Sequence, residues 1–256
     1  MSPFLQTALE AAQTAQEIIL HYYQGKFDVE LKADQSPVTI ADVEAEKAIK
    51  KMILERFPEH GFFGEETGKT NPDAEYTWLI DPIDGTKSFV RRYPMFSTQI
   101  ALMKGSELIL GVSNAPAFGE MAYAEKGQGA FLNQQPIKIS GYTELNQAAL
   151  SLGNIASLAA SSSWANLGKI ITQVQRIRGY GDFFHYHLLA SGKVDAIIES
   201  DVNILDVAAL SVIVNEAGGV FTDLFGEPLN LASTTVLAAA SPELYTQIRN
   251  ELNYRG

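Results

Sequence analysis

Residues 78–89 read WLIDPIDGTKSF, a short apolar run followed at once by two acids, a glycine and a threonine. The first three residues form an uninterrupted apolar run of the kind that a buried strand carries. The next six are typical of a turn from a strand into a helix, with both acids at its mouth. Thr86 would begin that helix, and Gly85 lets the backbone approach a ligand closely. The stretch therefore predicts a buried strand that delivers Asp81 and Asp84 to one cavity.

Elements on the N-terminal side and just beyond this stretch follow helix and strand periodicity. We predict a first helix from Pro3 with Ser2 as its cap, and a second helix from Thr39 to Phe57 that Pro58 stops. After the quoted stretch, short apolar runs predict strands, several of them antiparallel, with a hairpin turn at Asn133-Gln134. These strands are expected at 98–103, 108–112, 121–124, 130–132 and 137–139.

Beyond Gly141 the predicted strands alternate with helices, which is typical of an α/β arrangement. Strands are expected at 149–152, 194–198 and 236–239, and helices at 164–174, 183–190, 206–217 and from 242 onward. The chain shows no repeat, low-complexity tract or linker. We therefore expect two halves, 1–140 and 141–256, that pack as one body.

Composition narrows the class of protein. The 256 residues are 46% hydrophobic, which is ample for a core, and the net charge of -11 argues against nucleic acid or an anionic membrane as partner. The absence of cysteine excludes disulfides and thiolate catalysis. The sequence begins like a capped helix rather than a signal peptide, and no apolar run approaches the roughly 20 residues of a membrane span. We expect a soluble cytoplasmic protein.

Several further acids stand next to apolar segments, where surface charge is not expected. Glu65 and Glu66 follow Phe62-Phe63-Gly64, and Asp206 begins a long apolar helix. Carboxylates attached to buried elements tend to converge at the carboxyl edge of the strands. Oxygen ligands without His or Cys favour Mg²⁺ over zinc.

Each of these acids also has a simpler interpretation. Asp42 lies three residues after Thr39 and suits helix capping, which is compatible with a role at the site. The Glu65-Glu66 pair could be a solvated pair, and Asp206 could serve only the helix dipole. The interpretation as a metal site depends on their combination.

Taken together, the motifs resemble those of the inositol monophosphatase family. Besides residues 78–89, the resemblance includes Gly64-Glu65-Glu66-Thr67, residues 205–209 with 216–219, and Ser36-Pro37-Val38-Thr39 with Ala41-Asp42. It covers nearly the whole chain. It implies an α/β (α+β) fold, a layered αβαβα sandwich with its site between the halves, and a metal-assisted attack of water on phosphorus.

The resemblance also implies roles for individual residues. Two or three Mg²⁺ ions would be bound, the first by Glu65, Asp81 and the carbonyl of Ile83, and the second by Asp81, Asp84 and Asp206. Thr86, paired with Asp42, would orient or deprotonate the attacking water, with Glu65 and Glu66 assisting. The main-chain amides of Gly85 and Thr86 would hold the phosphate.

Residues outside the metal motifs carry the information on substrate. Gly181-Asp182-Phe183 and Lys87-Ser88 look more like the histidinol-phosphate phosphatase branch than true inositol phosphatases. The Asp182 carboxylate could pair with the amine or imidazole of histidinol phosphate, or it could cap the helix beginning near Phe183. Glu199 could contact the leaving group or be a solvated acid at a strand end. His185 and His187 are predicted to be packing residues rather than metal ligands.

The expected activity is therefore Mg²⁺-dependent hydrolysis of a small phosphate monoester, histidinol phosphate first, by a homodimer without nucleic-acid or membrane partners. Inositol monophosphate is the alternative substrate. A different class of function is an interaction protein of RNA metabolism with residual phosphatase activity. The complete set of acids argues against that class, because a protein that had lost its catalytic activity would have no reason to keep all of them.

Overall fold

A computed structural model describes residues 1–25, 29–31 and 37–255, which fold into helices and strands in five layers. The helices are α1 (Pro3–Gln24), α2 (Ile40–Arg56), α3 (Thr86–Val90), α4 (Ile155–Ala160), α5 (Trp164–Gln173), α6 (Asp182–Ala190), α7 (Ile204–Glu216) and α8 (Pro242–Leu252). The strands are β1 (Val29–Leu31), β2 (Pro37–Thr39), β3 (Gly61–Gly64), β4 (Gly68–Thr70), β5 (Tyr76–Asp84), β6 (Ser97–Lys104), β7 (Glu107–Ala115), β8 (Glu120–Glu125), β9 (Ala130–Leu132), β10 (Gln135–Ile137), β11 (Ala149–Gly153), β12 (Arg176–Arg178), β13 (Ala196–Ser200), β14 (Val220–Thr222) and β15 (Thr235–Ala239).

Two mixed sheets hold most of the strands. The first has eight strands in the order β10-β9-β8-β7-β6-β5-β3-β4, all antiparallel except the β3–β5 pair. The second has five strands in the order β12-β11-β13-β15-β14, with β11 parallel to both neighbours and β15 antiparallel to both. The first sheet lies within residues 61–137 and the second within 149–239.

Helices cover both sheets and fill the space between them. Helices α1 and α2 pack on one face of the first sheet, while α7 contacts β6, β7 and β8 on its other face. Helix α6 lies beside α7 and reaches β13, and α8 contacts β15 from the outer side of the second sheet. The predicted αβαβα sandwich is confirmed. No helix in the described ranges is both long and apolar enough to cross a membrane.

The ends of α1 and α2 follow from their sequences. The Ser2 hydroxyl accepts the Leu5 N–H at 3.1 Å, and Pro3 occupies the first helical turn, where its missing N–H costs nothing. Thr39 and Asp42 form a capping box at the start of α2. Both predicted helices are confirmed, and α2 ends at Arg56, two residues before Pro58. Ser36, the first residue of the motif that contains Thr39, lies outside the described residues.

Two local predictions are wrong. Residues 81–84 are not a turn but the end of β5, which pairs with β6 and changes register between Asp81 and Asp84. This irregularity accommodates Pro82, which has no N–H to donate to a neighbouring strand. The strand expected at 137–139 is also misplaced, because β10 begins earlier, at Gln135. Positive φ angles at Asn133 and Gln134 close a two-residue hairpin, so strand pairing resumes directly after Gln134.

Close backbone packing holds α7 against the first sheet. A Cβ added to Gly111 of β7 would overlap the main chain of Ala209 in α7. The helix can therefore approach the strand only because this position is glycine. Since α7 carries Asp206 in its first turn, the same contact fixes the height of that acid above the sheet.

We expect Gly111→Ala to lower the free energy of unfolding by about 2 kcal/mol or more, because helix α7 must move away from β7. The matched control is Gly168→Ala in α5, where an added Cβ meets nothing within 4 Å. That change should raise the free energy of unfolding by roughly 0.5 to 1 kcal/mol through helix propensity. Denaturant unfolding of both variants tests the contact, and equal effects would contradict it.

Candidate active site

Strand β5 and helix α7 bring three aspartates together. Asp81 and Asp84 lie at the end of β5, and Asp206 lies in the first turn of α7. One carboxylate oxygen from each lies within 4.8 Å of those of the other two. The three line a cavity of about 220 Å³ with Glu65, Ile83, Gly85, Thr86, Lys87, Ser88, Asn154 and Asp182. Two predicted segments more than 120 residues apart therefore meet in one cavity.

Burial and mutual repulsion shift the titration of these acids. Burial raises the pKa of Asp81 well above its usual range, and the charges of Glu65, Asp206 and Asp84 raise it further. Burial, with the charges of Asp182, Asp206 and Glu199, does the same for the pKa of Asp84. Burial also raises the pKa of Asp206 to about 7. A cation is what would hold all three ionised at neutral pH.

The donor set fits a hard divalent cation. It consists of carboxylates, and the Ile83 carbonyl lines the same cavity. Within the described ranges, no Lys, Arg or His side chain forms an ion pair with Asp81, Asp84 or Asp206. Oxygen ligands of this kind suit Mg²⁺. The cluster could therefore hold a metal ion.

Helix capping positions Asp42, as predicted, and also Asp206, for which the simpler interpretation was only a helix-dipole role. Asp206 accepts the Asn203 N–H and the Asn203 side-chain amide, each at 2.8 Å. Asp42 accepts the Thr39 N–H at 2.8 Å and the Thr39 hydroxyl at 2.6 Å. Each acid is the third residue of its helix, where the capping box fixes its side chain. The start of each helix therefore sets the direction in which the remaining lone pairs of its carboxylate point.

Thr86 and Asp42 meet beside the cluster. The Thr86 hydroxyl lies 3.3 Å from Asp42 Oδ1 and 2.9 Å from the Ile83 carbonyl, and its single proton can be donated to one of them at a time. Burial raises the pKa of Asp42, with a smaller contribution from the charge of Glu65. The pair could accept a proton from a water in the cavity.

Gly85 shapes the turn between β5 and α3. Its φ of +87° is in the left-handed region, and an added Cβ would lie 2.5 Å from the Met95 carbonyl oxygen, so only glycine fits. The predicted helix does begin at Thr86, but α3 has only five residues. Its dipole is therefore small, and any phosphate contact here would depend on individual N–H groups rather than on the helix as a whole.

A buried acid that the sequence analysis missed supports the loop with Glu65 and Glu66. Glu46 of α2 is fully buried and accepts the Glu66 N–H at 2.8 Å and the Thr67 N–H at 2.7 Å. Glu65 is exposed and lines the cavity, whereas Glu66 is not among its lining residues. The available signal was that Glu46 lies one helical turn after Asp42, next to the apolar Ala45.

The second half of the chain supplies the opposite wall of the cavity. Asp182 is the first residue of α6, has φ +47°, and its carboxylate accepts no hydrogen bond from the described residues. Burial and the charge of Glu199 raise the pKa of Asp182 to about 6. The capping alternative for Asp182 is thus not supported. Asn154, which the sequence analysis also missed, lines the cavity from the end of β11.

Glu199 is not the solvated acid at a strand end that one interpretation expected. It lies inside β13 and is 3% exposed. Its Oε2 accepts the Tyr186 hydroxyl at 2.6 Å and lies 3.0 Å from His185 Nε2. With Asp84, Asp182 and Asp206 it lines a second, smaller cavity of about 40 Å³. His185 and His187 are buried, as predicted for packing residues, and both form hydrogen bonds.

The sequence of this chain is similar to those of known phosphatases over most of its length. Residues 1–254 match the sequence model of the inositol monophosphatase family. The histidinol-phosphatase of Chlorobaculum parvum is 37% identical over 227 residues, which are 88% of this chain and 88% of that protein. Inositol monophosphatase 1 of Rattus norvegicus is 32% identical over 259 residues, covering 96% of this chain and 92% of that protein.

Solved structures of similar proteins have the same fold as this chain. The inositol monophosphatase of Anabaena (Nostoc) sp. PCC 7120 superposes with a TM-score of 0.84 at 30% identity, over 98% of this chain and 95% of that one. The extragenic suppressor protein suhB of Bartonella henselae superposes with a TM-score of 0.89 at 27% identity, over 98% of both chains. The predictions of the family and of a phosphoric monoester hydrolase are confirmed. The chain belongs to the inositol monophosphatase family.

Proposed function

We propose that this chain is a Mg²⁺-dependent phosphatase that hydrolyses histidinol phosphate to histidinol and phosphate. The observation that carries the proposal is the cluster of Asp81, Asp84 and Asp206 beside the Thr86–Asp42 pair in one cavity. A cytoplasmic location and a homodimer stay predictions.

Five residues would hold the metal. Glu65, Asp81 and the Ile83 carbonyl would hold one Mg²⁺ ion, and Asp81, Asp84 and Asp206 a second, with Asp81 shared between them. When bound, the metal polarises the phosphoryl oxygens and lowers the pKa of water toward neutrality. Two or three ions would also neutralise the repulsion that raises the pKa of these acids.

The chain's own residues would move the proton and hold the phosphate. Water in the cavity would give its proton to the Thr86 hydroxyl oxygen while that hydroxyl donates to Asp42. Because burial raises the pKa of Asp42, this carboxylate is a better proton acceptor than a solvated one. Glu66 would assist from the adjoining loop, and the Gly85 and Thr86 amides would contact the phosphate.

Asp182 supports the choice of a cationic substrate. Its carboxylate lines the cavity, is largely buried and has no hydrogen-bond donor among the described residues. A buried carboxylate without a hydrogen-bond donor is unfavourable even with the charge of Lys87 nearby, and an ammonium or imidazolium group would relieve that cost. Inositol offers only hydroxyl groups. Glu199, whose carboxylate already contacts Tyr186 and His185, would add negative charge near Asp182 rather than contact the leaving group.

The first test is Asp81→Asn with phosphate release as the measurement. We expect activity with Mg²⁺ to fall by at least about 100-fold, because both metal positions lose a shared charge. In the absence of metal the variant should unfold at a temperature no lower than the wild type, since a neutral amide removes a buried charge. Glu107→Gln, which changes an exposed ion pair with Lys126, is the control and should retain activity. Wild-type turnover by Asp81→Asn would refute the ligand assignment.

The second test is Thr86→Ala, analysed by steady-state kinetics at saturating Mg²⁺. We expect kcat to fall by about 100-fold or more with little change in KM, because a water-orienting group acts mainly in the transition state. Thr86→Ser keeps the hydroxyl and should retain most of kcat. An effect confined to KM would make Thr86 a substrate-binding residue only.

The third test compares substrates with Asp182→Asn. We expect the wild type to have a higher kcat/KM for histidinol phosphate than for inositol monophosphate. A shielded charge pair is worth about 1.5 to 3 kcal/mol, or roughly 10- to 150-fold in specificity. Asp182→Asn should reduce that preference and leave glycerol phosphate hydrolysis nearly unchanged. If the wild type prefers inositol monophosphate, the branch assignment fails while the metal chemistry stands.

If no phosphate ester is hydrolysed under any metal condition, the enzyme proposal fails. The remaining interpretation is then the interaction protein of RNA metabolism. A panel of histidinol phosphate, inositol phosphates, sugar bisphosphates and phosphoadenosine compounds makes that distinction.

A further inference from the structure

A continuous chain of hydrogen-bonded polar side chains, buried except at its last member, begins at Asp84 and ends at Glu120 of β8. Ser97, at the start of β6, lies opposite Asp84 and donates its hydroxyl proton to Asp84 Oδ2 at 3.3 Å. The side-chain amide of Gln99 donates to the Ser97 oxygen at 2.7 Å and to the Ser113 oxygen at 3.0 Å.

The chain continues through helix α6. His187 Nε2 lies 2.8 Å from the Ser113 oxygen, and His187 Nδ1 lies 3.0 Å from Glu120 Oε2. Ser97, Gln99 and Ser113 are fully buried, and His187 is 2% exposed. Strands β6, β7 and β8 therefore contribute polar groups to a face that otherwise packs against α6 and α7.

Proton counting assigns a direction to every bond once Asp84 is ionised, as it would be with a metal bound. An ionised Asp84 can only accept, so the one hydroxyl proton of Ser97 goes to Asp84 and Ser97 must accept from Gln99. Gln99 uses both amide protons, one on Ser97 and one on Ser113. Ser113 then has its own proton to donate to His187 Nε2, and His187 donates from Nδ1 to Glu120.

This arrangement requires a neutral His187 with its proton on Nδ1. Burial lowers the pKa of His187, in agreement with the neutral ring. The groups facing that ring are Glu120 from β8, Ser113 from β7 and Phe183 from its own helix, while Lys193 acts on it from the loop after α6. The bond from His187 also lowers the pKa of Glu120, so Glu120 is the anionic end of the chain.

Stability alone does not account for Gln99. Its Oε1 atom is buried and has no hydrogen-bond partner among the described residues, which costs roughly 1 to 3 kcal/mol. An apolar side chain of similar shape would avoid that cost. What the amide provides is a pair of donors in fixed positions, one of which orients the Ser97 hydroxyl.

We propose that Gln99 is a positioning residue for the metal site: through Ser97 it fixes the Asp84 carboxylate, and His187 fixes Gln99 through Ser113. The inference rests on the proposed role of Asp84 as a metal ligand. With Oδ2 bonded to Ser97, the Asp84 carboxylate keeps one orientation in the cluster. Partners of this kind commonly change metal affinity by about 10- to 100-fold.

The test measures Mg²⁺ affinity directly, from the dependence of the unfolding temperature of the purified, metal-free protein on Mg²⁺ concentration. We expect Gln99→Met to weaken Mg²⁺ binding by about tenfold. The Mg²⁺ requirement of phosphate release should move in parallel. Asn114→Leu is the matched control, because Asn114 is an equally buried polar residue that follows Ser113 in β7 and donates to Ala12 and Gln16 instead. It should lower stability without changing Mg²⁺ affinity.

A second pair of variants covers the case in which Gln99→Met does not fold. His187→Gln keeps an acceptor for Ser113 and a donor for Glu120, and should bind Mg²⁺ nearly as the wild type does. His187→Phe removes both and should weaken Mg²⁺ binding. Equal Mg²⁺ affinity in the two His187 variants, or wild-type affinity in a folded Gln99→Met, overturns the proposal.

Asp84→Asn separates this proposal from the proposed function. If Asp84→Asn binds Mg²⁺ like the wild type, the ligand assignment fails, and with it the basis for the role of Gln99. If Asp84→Asn loses Mg²⁺ binding while Gln99→Met and His187→Phe keep it, the ligand assignment stands and only the positioning role is refuted.

Discussion

Electrostatic repulsion among buried carboxylates is the constraint around which this protein is organised. Three aspartates place oxygens within 4.8 Å of one another, and burial together with the charges of neighbouring carboxylates raises the pKa of each. Such a cluster costs free energy in the folded chain unless protons or cations neutralise it. The rest of the fold holds the acids in place despite that cost.

The acids are held chiefly by the backbone. Asp42 and Asp206 each satisfy the N–H of a capping residue, so forming helices α2 and α7 is the same event as orienting two side chains of the site. Asp81 accepts the Ile83 N–H at 2.9 Å within the irregular end of β5. Because these bonds belong to secondary structure, the orientations of Asp42, Asp81 and Asp206 do not depend on long, mobile side chains. This is a preorganised arrangement, which is what a metal-assisted reaction needs.

The two walls of the cavity have different origins. Strand β5, the loop after β3 and helix α3 supply Glu65, Asp81, Asp84, the Ile83 carbonyl and Thr86. Helix α6 and the end of β11 supply Asp182 and Asn154. Helix α7 contributes Asp206 from between the sheets, at a height set by the Gly111 contact. The cavity is therefore assembled from elements of both sheets and from the helix between them.

The sequence by itself determined the family and the fold class, and it named most of the residues that line the cavity. Apolar runs and capping residues are local signals that propensity and spacing can interpret, whereas the roles of the acids in residues 78–89 were implied by the resemblance to the family. Ser2, Thr39 and Asn133-Gln134 set element ends because each acts on its own neighbouring backbone. The strand irregularity at Asp81 was missed for the opposite reason, since it exists only through pairing with β6.

Only the tertiary structure decided which polar residues are buried and what they contact. Glu46 looks like one more surface acid on a helix, and it is buried because the loop after β3 brings two N–H groups to it. Gln99, Ser113 and His187 lie on two strands and a helix far apart in sequence, and no local pattern connects them. Whether a polar side chain is solvated or partnered depends on packing between distant elements, and local sequence does not contain that information.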